Sequence, residues 1–369
     1  MKYGAAVCTL ALTVLTFAKD MNSSKHVATL SNVGLPKDTN GNLLITGEAS
    51  VLNDGGGNYY FYFNDWGGCP GIDCCNTSAG CASCCFAEQP YVDRCVYTDN
   101  HSVVVYLTNN FVDFEYKGVA LGLLNRLAGV EFRPHVVYNE RTGTYVMWYE
   151  DRNSQQKGYA VATSKSPSGP FQTIKNSVKM HGNGRGDGSG DFSLFVDDDG
   201  RAYHVRDGFV VELLDENFTA GTGKVGEFKT PKPSEGPTFF KRNGTYYILP
   251  GTSCCACKGG SSIYVLTSEH PLGPYEFRGE IGTNPKQKHF DPHSEENYVT
   301  RAQASAVFSV SDPTAEFDQY VWLGNQWVTS TQPGNPRNHD LLYWAILDFN
   351  TDGSIKQVLF QQESSLNLP

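Results

Sequence analysis

The sequence predicts an all-β fold, a five-bladed β-propeller, and three observations support this prediction. Aromatic residues and glycine are abundant while methionine is scarce, which is typical of sheets joined by many turns. Hairpin-like segments recur along the chain at roughly 50 to 65 residues, a spacing typical of propeller blades. A Gly-Pro-aromatic sequence also follows two of the predicted third strands, and a β-sandwich would not require that recurrence.

Five hairpins can be followed in chain order. The first spans 53–63 around a Gly-rich turn, the second spans 136–149 around Thr-Gly, and the third spans 194–205 around Asp-Gly. The fourth spans 239–249 and turns at Asn243-Gly244, and the fifth spans 321–327 and is expected to turn near Gly324-Asn325. Such dipeptides between alternating strands are strong hairpin signals. Third strands are predicted at 159–164 and 263–268, and 119–130 is at most a short turn of helix.

The N-terminus has the pattern of a secretory signal peptide. Lys2 is followed by an apolar run to Ala18, and small residues near its end predict cleavage after Ala18. This leaves 19–369 as a single propeller catalytic domain in a secreted, extracellular protein. Five glycosylation sequons fit the same compartment: Asn22, Asn76, Asn100, Asn217 and Asn243. The net charge of −10 has no basic cluster, which argues against nucleic acid and anionic membranes as partners. The protein is expected to act as a monomer.

Residues 65–96 interrupt the first blade with a segment that is rich in cysteine and glycine and lacks strand alternation. We predict a disulfide-stapled insertion on the propeller rim. Ten cysteines remain once Cys8 is removed with the signal peptide: seven lie in this insert and three lie at 254–257. Because seven is odd, full pairing within the chain requires at least one bond between the two groups. Disulfides are favoured over metal ligation because the chain is secreted and has no matching histidines.

Glu235 is the strongest candidate for a catalytic residue. It precedes Gly-Pro at the start of the fourth hairpin, where the first strand of a blade approaches the propeller axis. A carboxyl group in a partly desolvated pocket there can keep its proton near neutral pH and act as a general acid.

Four segments, in blade order, resemble the five-bladed propellers of glycoside hydrolase family 43, and most closely its branch of exo-β-1,3-galactanases. They are 133–148, 189–200, 235–247 and 303–305. The resemblance implies hydrolysis of a galactan-like polysaccharide with inversion, by an acid and a base about 6.5–9.5 Å apart, and without an organic cofactor. It assigns the acid to Glu235. It places Asp191 where a carboxylate orients the acid or raises its pKa, and Gln303 where a glutamine assists the attacking water.

Two features depart from the family pattern. Most members carry an aspartate base on the innermost strand of the first blade. Glu48 lies near that place and is either a restored base or a polar residue at a blade edge. The galactanase branch commonly has a sugar-binding glutamate directly before Arg-Pro, but Phe132 holds that position here. Glu131, one residue earlier, joins Arg133 as a substrate-binding residue only if a bulge corrects the strand register.

Aromatic side chains are further candidates for substrate binding. Trp148 and Tyr149, with Trp66, can stack on sugar rings, although most aromatic residues of a propeller pack between blades. No metal site is predicted, since Pro292 indicates a loop at the trio His289, Asp291 and His293. Two alternatives to a galactan hydrolase remain open. One is a catalytically silent glycan-binding propeller, and the other is an arabinofuranosidase or xylosidase on the same fold.

Overall fold

The computed structural model describes residues 26–67, 100–129, 131–151, 158–178, 180–181, 190–252, 258–287, 297–312, 315, 317–332 and 335–368. Within these ranges the chain forms 21 β-strands and one short 3₁₀ turn at Pro336–His339. None of the described helical segments is long and apolar enough to cross a bilayer. The predicted signal peptide and most of the insert, including every cysteine of both groups, lie outside the described residues.

The strands form five antiparallel blades in chain order. Blade 1 consists of β2 (Gly47–Asn53), β3 (Tyr59–Asp65), β4 (Ser102–Thr108) and β5 (Glu115–Leu121). Blade 2 consists of β6 (Glu131–Asn139), β7 (Thr144–Asp151), β8 (Gly158–Ser164) and β9 (Gln172–Val178). Blade 3 consists of β10 (Phe192–Val196), β11 (Ala202–Arg206), β12 (Val210–Leu214) and β13 (Gly221–Glu227). Blade 4 consists of β14 (Ser234–Arg242), β15 (Thr245–Thr252), β16 (Tyr264–Ser268) and β17 (Glu276–Glu280). Blade 5 consists of β18 (Gln303–Val310), β19 (Gln319–Gln326) and β20 (Leu341–Leu347).

The two ends of the described chain meet beside blade 5 and close the ring. Strand β1 (His26–Ser31) pairs antiparallel with β21 (Glu363–Leu368), from His26 opposite Leu368 to Ser31 opposite Glu363. Asn32 ties this pair to blade 5, because its side chain accepts a hydrogen bond from the Trp344 amide at 2.7 Å. The predicted five-bladed, all-β propeller is therefore confirmed.

Five hydrophobic clusters fill the spaces between neighbouring blades. The second strands supply much of this packing, because alternate side chains of a strand face opposite blades. Trp148 of β7 packs in the cluster shared with blade 3, and its neighbour Tyr149 packs in the cluster shared with blade 1. Trp66 is also buried, against His101 and Phe132. Burial of apolar and aromatic area at these seams supplies most of the driving force for folding.

Four of the five predicted hairpins are confirmed, and the fifth was placed wrongly. Strand β19 runs straight through Gly324 and Asn325, and the hairpin of blade 5 is instead formed by β18 and β19. A Cβ on Gly324 would come within 2.5 Å of the Trp322 ring, so this glycine allows close packing. The buried Asn325 side chain donates to the Thr46 carbonyl. Both residues therefore serve interior contacts rather than a turn.

The first strands of the five blades surround the axis and contact one another in a closed ring. Register shifts interrupt the start of these strands in blades 1, 2, 4 and 5. A bulge bends a strand and re-aims a side chain, and such features are common next to active sites. Glu48 and Arg133 accordingly adopt left-handed backbone conformations, with φ of 43° and 51°. One end of the axis thus receives polar side chains from several blades.

Candidate active site

Glu235, Asp191 and Gln303 come from three different blades and meet at this end of the axis. The Gln303 Nε2 donates to Glu235 Oε1 at 2.9 Å and lies 3.2 Å from Asp191 Oδ2. Gln303 is 2% exposed and Glu235 is 8% exposed, so the carboxyl group of Glu235 is largely removed from water. The side chain of Asp191 is somewhat more open. The structure therefore brings together three of the residues singled out in the sequence.

The glycine after Glu235 is required by the crowding of this cluster. Gly236 has a φ of 61°, a conformation that L-residues with side chains rarely adopt. An added Cβ would lie 3.4 Å from both Arg133 Nη2 and the Ala304 carbonyl, and 3.7 Å from Asp191 Oδ2. The Glu-Gly pair thus lets the backbone of blade 4 approach the axis closely.

Arg133 is the cation at the centre of the cluster. Its Nε forms an ion pair with Asp191 Oδ1 at 2.7 Å, and its Nη1 donates to the Ala304 carbonyl at 3.0 Å. Burial by itself would lower the pKa of Arg133, but four surrounding carboxylates raise it: Asp191, Glu48, Asp207 and Glu235. The guanidinium of Arg133 thus holds Asp191, and the expectation that Arg133 also binds substrate stays a prediction.

Glu48 contacts the backbone of Arg133. Its Oε2 accepts from the Arg133 backbone amide at 2.9 Å and from Asn64 Nδ2 at 3.2 Å. Among the described residues, its Oε1 takes no hydrogen bond. Burial raises the pKa of Glu48 to about 7, against the opposing effects of the Arg133 charge and amide. A carboxylate that titrates near neutral pH is suited to accept a proton from water.

The amide of Gln303 is held by contacts on both of its ends. While Nε2 faces the two carboxylates, Oε1 accepts from Trp327 Nε1 at 2.8 Å. Trp327 is in turn covered by the guanidinium of Arg337, 3.9 Å from its ring, and Arg337 is paired with Asp340. In this arrangement Gln303 holds the side chain of Glu235 in place.

Trp148, Tyr149 and Glu131 were predicted to bind substrate, but the structure places their side chains away from the cluster. These three predictions are wrong. Trp148 is fully buried and its Nε1 donates to the Phe218 carbonyl, while Tyr149 is 1% exposed and its hydroxyl pairs with Thr173. A sugar ring cannot reach either side chain. The strand does bulge between Phe132 and His135, yet the Glu131 carboxylate faces Arg126, 3.6 Å away. Glu131 is therefore part of the seam between blades.

Two carboxylates near the site were missed at the level of sequence. Asp207 follows β11, and its carboxylate has an oxygen within 4.8 Å of oxygens of Asp191 and Glu235. Glu150, on β7, is fully buried and helps to raise the pKa of Glu48. Asp207 stands in Asp-Gly, which reads as an ordinary turn, and Glu150 follows an aromatic strand without any motif. Only the meeting of blades at the axis reveals them.

Among the described residues, Asp191, Asp207 and Glu235 are the group whose spacing is short enough to hold a metal ion. Arg133 and Gln303 already direct cationic or N–H groups at two of these carboxylates. We therefore interpret the group as carboxylates held by an ion pair and hydrogen bonds rather than as metal ligands. The trio His289, Asp291 and His293 lies outside the described residues.

Comparison with known proteins agrees with this geometry. The family description Glycosyl hydrolases family 43 matches residues 132–317, which include Arg133, Asp191, Glu235 and Gln303. The chain belongs to this family. Its five-bladed propeller is thus the fold of a member of this family.

Two curated proteins are similar to parts of this chain. A β-D-galactofuranosidase of Aspergillus niger is 28% identical over 134 residues, which cover 36% of this chain and 39% of the relative. An arabinoxylan arabinofuranohydrolase of Bacillus subtilis is 27% identical over 258 residues, which cover 63% of this chain and 47% of the relative. The aligned parts thus span less than half of either relative.

Solved structures share the fold. A family 43 β-1,3-galactosidase, solved with galactodeoxynojirimycin, has a TM-score of 0.65 at 19% identity, over 90% of this chain and 99% of that one. An exo-β-1,3-galactanase of Clostridium thermocellum has a TM-score of 0.65 at 21% identity, over 92% and 67% of the two chains. A galactanase of Phanerochaete chrysosporium has a TM-score of 0.63 at 18% identity, over 92% and 69%. These identities establish a common architecture.

Proposed function

We propose that the protein is a secreted glycoside hydrolase that cleaves glycosidic bonds of a galactan-like polysaccharide with inversion of configuration. The observation that carries the proposal is the meeting of Glu235, Asp191 and Gln303 from three blades at one end of the axis. The names of the structural neighbours favour β-1,3-linked galactose as the first substrate to test. The predicted signal peptide and sequons favour an extracellular site of action.

In this mechanism Glu235 is the general acid. Its carboxyl group protonates the glycosidic oxygen as the bond to the leaving sugar breaks. Asp191, which forms an ion pair with the guanidinium of Arg133, is a nearby carboxylate that makes loss of that proton to solvent less favourable. The Gln303 amide fixes the side chain of Glu235 by its 2.9 Å hydrogen bond. The site therefore holds the carboxyl group of the proposed acid in a fixed position.

Inversion also requires that the acid and the base lie about 6.5–9.5 Å apart, which leaves room for water on the opposite face of the sugar. Gln303 is in direct contact with Glu235, whereas Glu48 contacts the Arg133 backbone and has a carboxylate oxygen with no partner among the described residues. We therefore propose that Glu48 accepts the proton of the attacking water, while Gln303 positions Glu235. This assignment reverses the role that the family resemblance gives to Gln303.

The experiment is a substrate screen with stereochemistry. Purified protein is incubated with oligosaccharides of β-1,3-galactan, arabinan and xylan, with the Glu235→Gln variant as the matched blank. Proton NMR of the first product identifies the released sugar and its anomer. Galactose of inverted configuration is expected. Release of arabinose or xylose would instead support the arabinofuranosidase or xylosidase alternative. The name of one curated relative favours an arabinofuranosidase. Binding of a glycan without turnover would establish the silent propeller.

A further inference from the structure

Asp207 forms hydrogen bonds with Asp191 through both its backbone and its side chain. The Asp207 amide donates a hydrogen bond to the Asp191 carbonyl at 2.9 Å. The Asp191 amide in turn donates to the Asp207 carboxylate oxygen Oδ2 at 3.2 Å. Asp207 is 3% exposed and directly follows β11, so the blade fixes its position. These two contacts determine where the chain leading to Asp191 enters the site.

The residue before Asp191 confirms how closely the two segments pack. Gly190 has a φ of 131°, and a Cβ built on it would lie 3.0 Å from the Asp207 Cβ and 3.2 Å from its Oδ2. The Gly190 carbonyl also accepts a hydrogen bond from the Tyr159 hydroxyl at 2.9 Å. Asp191 is therefore held from blade 2 by Tyr159 and from within blade 3 by Asp207.

Several carboxyl groups lie near Glu235 among the described residues. Those that raise the pKa of Arg133 come from blades 1, 3 and 4: Glu48, Asp191, Asp207 and Glu235. Gln303 from blade 5 is neutral, and His135 from blade 2 is kept uncharged because burial and Arg133 lower its pKa to about 3. The carboxylate oxygens of Asp191, Asp207 and Glu235 lie within 4.8 Å of one another, so retention of a proton within this group is favoured.

We propose that Asp207 is a positioning residue of the hydrolytic site, which holds Asp191 in place and supplies a second nearby negative charge that keeps the proton on Glu235. The proposal rests on the proposed function, because it takes Glu235 as the acid. Its geometric basis is the set of carboxylate oxygens of Asp191, Asp207 and Glu235 within 4.8 Å of one another. Asp207 itself acts through these two residues and does not touch substrate.

The test compares wild type with Asp207→Asn, which keeps the acceptor for the Asp191 amide and removes the charge. Carbon-13 NMR of labelled glutamate carboxyls gives the titration of Glu235, identified by its loss in Glu235→Gln. Removing one charge at this separation is expected to lower the midpoint of Glu235 by about one to two pH units. The basic limb of the kcat/KM profile should move to lower pH by the same amount. The same midpoint in both proteins would overturn the proposal.

The matched control is Asp199→Asn, which removes the same charge from the hairpin at the opposite end of blade 3. Its Glu235 titration is expected to match wild type, and an equal shift would show that the effect is only one of net charge. If Asp207→Asn does not fold, the titration of Asp207 is instead followed by carbon-13 NMR of labelled aspartate carboxyls in the wild-type protein. Asp207 must be ionised throughout the range in which Glu235 titrates, and a proton retained on Asp207 there would overturn the proposal. The NMR titration needs no substrate, so an inactive wild type would contradict the proposed function alone.

Discussion

At the scale of single residues, the site is a set of side chains whose protonation is controlled by their neighbours. Burial raises the pKa of Glu48, while Arg133 and its amide oppose that shift. Arg133 also pairs with Asp191, and Gln303 contacts both Asp191 and Glu235. Each residue therefore affects the others, and replacing one changes the charge or the position of the acid.

The first prediction separates the two candidates for water activation. Glu48→Gln should nearly abolish hydrolysis, and added azide should restore turnover with a glycosyl azide of inverted configuration, because the anion fills the place of the lost carboxylate. Gln303→Ala should reduce kcat about tenfold to a hundredfold through misplacement of Glu235, without azide rescue. Product analysis by NMR distinguishes the two results. A small loss of activity in Glu48→Gln together with a large loss in Gln303→Ala would show that Gln303, and not Glu48, activates the water.

The pH profile gives a second prediction about Glu48. Because its pKa is raised to about 7, this carboxyl group is protonated below that pH and ionised above it. A base is active only when ionised, so kcat/KM should fall tenfold for each pH unit below about 7. The Glu48→Gln variant should lack this acidic limb when azide supplies the activity. An activity that stays constant from pH 7 to pH 5 in the wild type would exclude Glu48 as the base.

At the scale of strands and blades, a buried carboxylate at a seam affects stability. Glu131, whose side chain faces Arg126, is 2% exposed, and burial raises its pKa to about 8. A raised carboxyl pKa means that the folded protein binds the proton more tightly than the unfolded chain. This contribution is full below pH 4.5 and is lost as the pH rises to about 8.

The third prediction follows from the loss of this stabilising contribution as the pH rises. Between pH 5 and pH 8, the free energy of unfolding of wild type should fall relative to Glu131→Gln by on the order of 2 kcal/mol. Urea unfolding at both pH values measures the difference. Glu216→Gln, which changes an exposed glutamate, is the control and should follow wild type. Parallel pH dependence of wild type and Glu131→Gln would show that Glu131 ionises normally in the folded protein.

The hairpins show how far sequence reasoning reached and where it failed. Turn dipeptides such as Asn243-Gly244 located four hairpins, because a left-handed turn favours Asn and Gly for local reasons. Gly324-Asn325 looked the same, but there both residues meet tertiary contacts. The meeting of Glu235 with Asp191 was expected only from the family resemblance, since it joins different blades. The contacts of Asp207 depend on tertiary packing, which no local pattern encodes.

Strand alternation explains the error on the aromatic residues. Trp148 and Tyr149 are adjacent in β7, so their side chains face opposite sides of the sheet. In a propeller both sides of a middle strand are covered by neighbouring blades, and both residues are therefore interior. Residues that can meet substrate come instead from the ends of the first strands and from the loops at the same end.

At the scale of the whole molecule, the described residues that precede the insert and the second cysteine group lie at the same end of the axis as the site. The insert follows Gly67 after β3, and the segment with the second cysteine group follows Thr252 after β15. Strand β3 ends beside the start of β2, which carries Glu48. Strand β15 ends beside the start of β14, which carries Glu235. The described residues before both segments are therefore close to the strand ends that carry Glu48 and Glu235.

The fourth prediction is that a disulfide joins the two cysteine groups. Peptide mapping of non-reduced protein should link one of Cys254, Cys255 and Cys257 to the 69–95 segment, because seven and three cysteines cannot all pair within their own groups. Such a bond would fix the first-blade insert beside the fourth blade and form part of the pocket wall. A map with bonds only inside each group and two free thiols would remove this role.

The most direct measurement of the central assignment is the dependence of Glu235→Gln on the leaving group. For an unactivated oligosaccharide, loss of the general acid should reduce kcat by about 10²–10⁴. For a dinitrophenyl glycoside of the same sugar, whose leaving group needs no proton, the variant should retain turnover near that of wild type. The basic limb of the pH profile should also vanish. Wild-type turnover of the variant on the unactivated oligosaccharide, or an equal loss on both substrates, would contradict the role of Glu235 as the acid.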